Sequence, residues 1–467
     1  MPTHRFRIET AMQVKREGSL DGKKLYQTLA AVALPIALQN LIASSLSLVD
    51  NLMVGSLGEA ELAAVGLSIQ IYFIQWMMLY GFCSGCATFI AQFWGAGDVA
   101  HIRKVIGFAL AVCVSFSSLF FLACLLFPGQ VLRIFTDIPQ AIAMGQGYVR
   151  TGAVIFLCTS VTVPFTSALR ATQQTTKPLM ISSIAFVANT FLNYVFIFGK
   201  FGAPAMGIVG AALATVIARL LETVLVLFVI FGKNNILKGR PGEFFGWDKV
   251  FIRKIVNNAL PTTVNETMWG MATSAYSAAY GRIGITAYAA IQASNAIQNL
   301  FTMAFFSVGD AMLILIGQQI GKKEMDYAYG LSKRLYRIGI SIGALGGVAL
   351  IFAAPWIVGW FDFTPEGRTY AIRILTIYGV FMGMNIFNGS SITGSLRAGG
   401  DTRFAMFTEV GTMWLIGVPL VFAGALWWHL PVYLIVLIAQ CEGIVKAVIL
   451  LRRFLSKKWL RNVIHDI

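Results

Sequence analysis

Long apolar stretches follow one another along the chain, separated by short polar breaks. Each stretch has at least the roughly 20 residues that an α-helix needs to cross the hydrocarbon core of a bilayer. The pattern therefore predicts twelve membrane-spanning helices, several of them long enough to tilt or protrude. The predicted spans are 28–53, 62–93, 102–127, 140–168, 178–199, 207–231, 252–281, 286–316, 327–353, 366–393, 404–426 and 430–453.

The two halves of this pattern repeat each other. Ala33-Leu34-Pro35 returns 226 residues later as Ala259-Leu260-Pro261, and Gln92 and Gly95 return at the same offset as Gln318 and Gly321. Leu169-Arg170-Ala171 recurs as Leu396-Arg397-Ala398, with a slip of one residue. Each half has an even number of spans, so both halves have the same orientation in the membrane. The predicted fold is an all-α membrane protein of two parallel six-helix lobes around a central cavity.

Composition agrees with a membrane protein. The chain is 57% hydrophobic with a mean hydropathy of +0.72, and its 12% of charged residues is half of what soluble domains carry, about 25%. The first apolar stretch is too long for a cleaved signal peptide, so we expect it to remain as the first span. The predicted divisions are a basic N-terminal segment 1–27, a first lobe 28–231, a linker 232–251, a second lobe 252–453 and a tail 454–467.

Lysine and arginine predict the orientation. The loops on the side of the two termini hold 28 of the 36 basic residues, and the opposite loops hold four. Basic residues accumulate on the cytoplasmic side of membrane proteins. We therefore expect both termini in the cytoplasm of a cell whose cytoplasmic membrane this protein spans. The net charge of +15 then reflects topology, and we expect no nucleic-acid partner.

Asp50 is one of six acidic residues predicted inside the spans, where an ionised side chain costs about 3 kcal/mol on insertion scales. Asn189 and Asn193 lie four residues apart on one face of the fifth span, and Thr215 lies at a similar depth in the sixth. These oxygen-bearing side chains predict a site that couples transport to a proton, or to Na⁺ at Asp50, Asn189 and Asn193. The alternatives are an Asp50 that faces water near a helix end, and amides that hold helices together.

Glu266 lies five residues after Pro261, and its repeat counterpart is Asn40. Asn265 likewise corresponds to Gln39. Because each proline frees a backbone carbonyl and can kink its helix, a polar pair just beyond it is a candidate lining for the central cavity. The alternative is a structural carboxylate with a partner of its own.

Asp310, whose counterpart is Ser84, and Tyr276, whose counterpart is Asp50, are further candidates for the cavity. Other aromatic residues are also candidates to line the cavity: Tyr72, Phe73, Trp76, Tyr280, Phe305 and Phe306. For all of these, and for Tyr276, the alternatives are packing between helices and anchoring at the membrane interface.

Two other acidic residues have a cation one turn away in the same helix. Glu222 follows Arg219 by three residues, and Glu442 precedes Lys446 by four. Such spacings favour ion pairs within each helix.

Several functions lack their motifs. The chain has no G-x-x-x-x-G-K-[ST] and no H-E-x-x-H, and its four histidines are isolated. Cys83 and Cys86 form C-x-x-C inside a predicted span without further metal ligands. We expect neither an enzyme nor a cofactor.

The residues in this order resemble the multidrug and toxic compound extrusion (MATE) transporters. The matching motifs are Ala33-Leu-Pro-Ile-Ala-Leu-Gln-Asn40, Val49-Asp-Asn-Leu-Met-Val-Gly55, Ala91-Gln-Phe-Trp-Gly-Ala-Gly97, Ser167-Ala-Leu-Arg-Ala-Thr172, Asn189–Gly199, Gly207-Ile-Val-Gly-Ala-Ala-Leu-Ala-Thr215 and Gly394-Ser-Leu-Arg-Ala-Gly-Gly-Asp401. The resemblance covers about residues 25–455.

The resemblance implies secondary active export of amphiphilic, often cationic compounds in exchange for H⁺ or Na⁺, by a monomer in the bilayer. It implies a coupling role for Asp50, with Asn189 and Asn193 nearby, and matches Glu266 only approximately to an acidic residue of the seventh helix. Some Na⁺-coupled members carry a carboxylate in the tenth helix, where this chain has Asn385 and Asn388. This departure puts a second-lobe Na⁺ site in doubt, although Asp310 is a possible substitute.

Three other functions remain as alternatives. A lipid-linked oligosaccharide flippase of the same broad superfamily would need a cationic cavity, and the sequence offers few basic residues within the spans. A membrane enzyme would need clustered acid-base or metal-ligating residues. A passive channel would need neither tandem lobes nor isolated carboxylates.

Overall fold

A computed structural model describes residues 22–232, 235–361 and 363–465, apart from the side chains of 22–25, 59–60, 63 and 302–306. The described residues form twelve long helices, as the sequence predicts. They are α1 Gly22–Gly55, α2 Glu59–Ala96, α3 Val99–Leu126, α4 Pro139–Gly152 continued by Val154–Ala171, α5 Thr176–Phe198, α6 Gly207–Phe231, α7 Lys249–Tyr280, α8 Ile285–Gly321, α9 Met325–Val358, α10 Pro365–Leu396, α11 Thr402–Leu426 and α12 Val432–Leu455.

Most helices run a few residues beyond the predicted spans, and three differences affect the predicted divisions or the helix type. α1 begins at Gly22 instead of residue 28, and residues 1–21 of the predicted N-terminal segment lie outside the described residues. α7 begins at Lys249, inside the predicted linker, which also contains a short 3₁₀ turn, Pro241–Phe244. The last turns of α10, Ser390–Leu396, are π-helical. A π-helix holds more residues per turn than an α-helix, and this part of α10 lies just before the one-residue slip in the repeat.

Ten helices of the described chain are long and apolar enough to cross a membrane, which agrees with a multi-pass membrane protein. The other two are α7 and α8. α7 carries asparagine, threonine and serine side chains along its length and packs against α2 of the first lobe.

The described residues of the two lobes share an apolar core toward one end of the bundle. We call the end that holds Gly22 and Leu455 the terminal side, and the opposite end the distal side. Toward the terminal side, one apolar core contains residues of both lobes, such as Phe89 of α2 and Ile314 of α8. Toward the distal side the core divides into separate clusters, for example around Ile208 in the first lobe and Ile374 in the second. The molecule is therefore joined at the terminal side and open at the distal side.

Glycines bring the lobes into contact along this seam. A Cβ added to Gly85 of α2 would lie 2.4 Å from the Cα of Ala259 in α7. Added to Gly95 it would lie 2.0 Å from the carbonyl oxygen of Gln318, and added to Gly321 it would lie 1.9 Å from that of Gln92. The repeated glycine and glutamine thus contact each other reciprocally, and no larger residue fits at such a separation.

The residues after α12 also cross the seam. Trp459 is fully buried, and its carbonyl oxygen lies against Gly399. The Val463 N–H donates to Oε1 of Gln92 in α2 over 2.8 Å, and Asn462 donates to the carbonyl of Ile320. The predicted tail is therefore packed against both lobes.

We expect Gly85→Ala to lower the stability of the purified protein by about 1–3 kcal/mol, because the added methyl group overpacks the seam between α2 and α7. Gly66→Ala in the same helix is the matched control, since no atom lies within 4 Å of its added Cβ. Thermal unfolding followed by size-exclusion chromatography measures the difference. Equal melting temperatures for the two variants would contradict the close packing of this seam.

Candidate functional site

A cleft opens between the lobes on the distal side. In the distal half of α2 the exposed residues recur every three or four positions, and in α8 they do the same. The α2 stripe is Leu62, Gly66, Gln70, Phe73 and Trp76, and the α8 stripe is Ile285, Ala289, Gln292, Ala296 and Asn299. Beyond these stripes, residues 77–93 of α2 and 307–320 of α8 are all buried or half-buried. Exposed amides at membrane depth indicate a water-filled cleft and not a lipid-facing surface.

Asp50 begins a chain of hydrogen bonds inside the first lobe. Asn193 donates to Oδ1 of Asp50 over 2.5 Å and is 2.9 Å from Oδ1 of Asn189. Asn189 in turn donates to Thr215 Oγ1 over 3.2 Å. The two asparagines are buried because their four-residue spacing turns both toward the interior of the lobe. The structure thus brings together the four residues that the sequence predicted as a coupling site.

This chain of residues can hold a small cation. Oδ1 of Asn193 is buried without a hydrogen-bond partner, close to the Asp50 carboxylate. No group of three His, Cys, Asp or Glu suited to a metal occurs in the described part of the chain. A metal cation at Asp50 would therefore rely on amide and hydroxyl oxygens, whereas a proton needs only the carboxylate.

The equivalent region of the second lobe carries a fixed cation. Nζ of Lys446 lies 2.5 Å from Glu442 and 3.7 Å from Glu409. Asn265 donates to Glu409 over 2.7 Å, and Tyr276 donates to Glu442 over 3.0 Å. The Glu442–Lys446 pair is as predicted. Of the two residues predicted to line the cavity, Asn265 is buried inside the second lobe, whereas Tyr276 is half-buried. Both are positioned by their carboxylate partners, because a buried carboxylate needs donors.

The floor of the cleft contains an ion pair between the lobes. Asp310 of α8 lies 3.6 Å from Arg170 of α4, and Tyr80 of α2 donates to it over 3.4 Å. The same arginine donates to Oε1 of Gln39 in α1 over 2.6 and 3.1 Å. Asp310 and Arg170 are each about one-fifth exposed, so both are accessible from the cleft.

The repeat counterpart of this arrangement lies next to it. Arg397, the counterpart of Arg170, is 1% exposed and pairs with Glu266 in its own lobe. It also donates to Ser84 of α2 over 2.8 Å. Ser84 is the counterpart of Asp310, so each arginine contacts the same repeat position in the opposite lobe. Glu266, which the sequence offered either as cavity lining or as a paired structural carboxylate, has the paired arrangement. Asn40, the counterpart of Glu266 in the first half, is half-buried in α1.

Sequence reasoning missed the two arginines. Both were assigned to loops, because each lies near the end of its span. The signal that could have identified them is the Leu-Arg-Ala repeat, which occurs at the end of the fourth span and again at the end of the tenth. Glu409 was counted among the six acidic residues inside the spans, but its partners Asn265 and Lys446 were not predicted. The predicted pair of Glu222 and Arg219 is present at 2.7 Å.

The MatE family model matches residues 35–195 and again 261–423, which together make up more than half of the chain. The chain belongs to the MatE family. The two matches begin 226 residues apart, the offset of the sequence repeat. The family of multidrug efflux transporters thus accounts for both lobes.

Among its relatives, the probable multidrug resistance protein NorM of Thermotoga maritima is 22% identical over 94% of each chain. The multidrug resistance protein MdtK of Edwardsiella ictaluri is 25% identical over 84% of this chain and 86% of the relative.

Solved structures share the fold. One is a multidrug resistance MATE family transporter of the MOP superfamily in an outward-facing conformation, with a TM-score of 0.82 and 17% identity over 95% of this chain and all of that one. A MOP superfamily transporter from Pyrococcus furiosus, described by a binding pocket of reverse polarity, gives the same values.

We expect Arg397→Met to destabilise the protein by about 3–5 kcal/mol, because it leaves the Glu266 carboxylate buried without its cation. The double variant Arg397→Met with Glu266→Leu is expected to recover most of that loss. Arg373→Met, which removes an exposed arginine of the same helix, serves as the control. Unfolding of the purified proteins measures all three, and a double variant no more stable than the single one would argue against the pairing.

Proposed function

We propose that this chain is a secondary active exporter of amphiphilic, often cationic compounds, which it exchanges for H⁺ or Na⁺ by alternating access. Membership of the family of multidrug efflux transporters supports export. The antiport, the ion and the substrate class are our inference from the arrangement of charges.

One observation carries the antiport. Of the six carboxylates inside the spans, five have a basic partner within 4 Å: Glu222, Glu266, Asp310, Glu409 and Glu442. Among the described residues, Asp50 has no basic nitrogen within 4 Å, and Arg219, which attracts it from farther away, is itself bound to Glu222. A carboxylate at membrane depth is costly unless a cation compensates it. We infer that an exchangeable proton or Na⁺ supplies the compensation at Asp50.

The proposed coupling follows from the hydrogen bonds of Asp50. Binding of a cation neutralises the carboxylate and weakens its attraction for the Asn193 amide. α1 can then repack or bend near Pro35, which interrupts its helical hydrogen bonds. If this change lowers the affinity for the exported compound, the compound lowers the affinity for the cation by the same factor.

The cleft supports a substrate that is amphiphilic. Phe73 and Trp76 present exposed aromatic surface in the α2 stripe, which also contains the amide Gln70, and Gln292 is exposed in the α8 stripe. Aromatic faces bind apolar groups and cations alike. No organic cofactor is needed for such transport, and the described residues contain no nucleotide-binding motif.

The same proposal covers location and partners. We assign the terminal side to the cytoplasm because the predicted basic loops lie there, and the membrane to the cytoplasmic membrane of the cell. The cleft then faces outward. We propose a monomer in the lipid bilayer that binds small molecules and no nucleic acid.

The arrangement of charges disfavours the lipid-linked oligosaccharide flippase. Such a transporter needs free cationic groups to bind a pyrophosphate. Arg170, Arg397 and Lys446 are instead each held by a carboxylate. The centre of the protein therefore offers little uncompensated positive charge.

We expect Asp50→Asn to reduce efflux of ethidium to the level of protein-free liposomes, because the neutral amide cannot bind and release the coupling cation. The variant should remain folded, since an asparagine still accepts a hydrogen bond from Asn193. Efflux from proteoliposomes and size-exclusion chromatography measure the two properties.

Asp137→Asn, the same chemical change at an exposed loop position, is the control and should transport normally. Full transport by Asp50→Asn would exclude Asp50 as the coupling residue.

Driving forces imposed one at a time test the antiport. We expect ethidium efflux to accelerate with a pH gradient or a Na⁺ gradient applied in proteoliposomes, because one of these cations binds Asp50. Without either gradient only leakage should remain. Norfloxacin provides a second substrate for the same assay. Equal rates with and without both gradients would contradict cation antiport.

A further inference from the structure

Asp310 differs from the other paired carboxylates in where its partners lie. Arg219 and Glu222 belong to one lobe, and Arg397 and Lys446 share a lobe with the glutamates that they bind. Arg170 and Tyr80, the two described residues that contact Asp310 directly, come from the opposite lobe, whereas Arg397 of its own lobe attracts it from farther away. A movement that separates the lobes at the terminal side leaves the other pairs intact and removes both partners of Asp310.

Its position makes this carboxylate accessible to a ligand. Asp310 is one-fifth exposed and continues the spacing of the exposed stripe of α8, eleven residues or three turns beyond Asn299. Tyr80, which contacts it, stacks on the exposed ring of Trp76 with ring centroids 5.3 Å apart. A carboxylate next to an aromatic pair fits an organic cation, whose charge meets the carboxylate and whose apolar part covers the rings.

The ion pair of Arg170 with Asp310 is longer than either hydrogen bond that this arginine makes within its own lobe. Nη1 lies 3.6 Å from Asp310, whereas Nη2 and Nε lie 2.6 and 3.1 Å from Gln39. Arg170 therefore remains anchored in the first lobe whichever state the protein adopts. It can reach Asp310 only when the lobes are together.

We propose that Asp310 binds the cationic group of the substrate when the lobes are apart at the terminal side, and that Arg170 displaces that group when they close. This rests on the proposed export by alternating access. In the closed arrangement seen here, Arg170 takes the place of the substrate cation and so favours its release into the distal cleft. Because substrate and Arg170 compete for one carboxylate, each weakens the binding of the other.

Equilibrium binding of ethidium to the purified full-length protein tests the competition without any need for transport. We expect Arg170→Gln to bind ethidium about tenfold more tightly than the parent, because the competing cation is gone. Asp310→Asn should bind it about tenfold more weakly. Arg373→Gln, which removes an exposed arginine far from the seam, should bind it as the parent does.

The gain in Arg170→Gln is the decisive result, since misfolding cannot raise an affinity. Unchanged or weaker binding by Arg170→Gln, or unchanged binding by Asp310→Asn, would overturn the proposal. In proteoliposomes Arg170→Gln should release ethidium more slowly than the parent. Absence of ethidium export by the parent protein would refute the proposed function, while the binding measurements would still decide the role of Asp310.

Discussion

The close contact of α2 with α7 and α8 is the constraint on which the rest of the structure depends. Backbone meets backbone there because Gly85, Gly95 and Gly321 have no side chains. The apolar core is continuous across this contact and divides beyond it. A cleft with a floor exists only because the lobes are joined on one side and separate on the other.

The carboxylates inside the helices are of two kinds, according to where their cationic partners lie. Some carboxylates, such as Glu266 and Glu442, have a cation in their own lobe and are structural in any rigid-body movement. Among the described residues, Asp50 has no cation within 4 Å, and the one cation within 4 Å of Asp310 lies across the seam. In the proposed mechanism, the chemistry that changes during transport is confined to the carboxylates without a cationic partner in their own lobe. The carboxylates that have a cation in their own lobe are already neutralised and are not available to bind other ions or substrates.

The sequence was sufficient for the fold because hydropathy and the repeat act over many residues at once. It also brought Asp50, Asn189, Asn193 and Thr215 together correctly, since depth in the membrane and the four-residue face are readable from spacing alone. It did not show that Asn265 lies in the lobe interior and not in the cleft, or that Tyr276 binds Glu442. Both outcomes depend on Glu409 and Glu442, which lie more than 140 residues away in the chain. The role of Arg397 was hidden for a related reason. An arginine near the end of a span is assigned to a loop from its sequence position, whether its side chain points outward or into the protein.

The contacts that the two arginines make across the seam are arranged as in the interface of a symmetric dimer. Arg170 contacts Asp310 in the other half, and Arg397 contacts Ser84, the equivalent position, in return. Two identical subunits related by a two-fold axis make contacts of this isologous kind. Identical subunits, however, would carry either two aspartates or two serines at this position. Joining the halves in one polypeptide lets each copy differ, so a symmetric framework can hold a single accessible carboxylate at its centre.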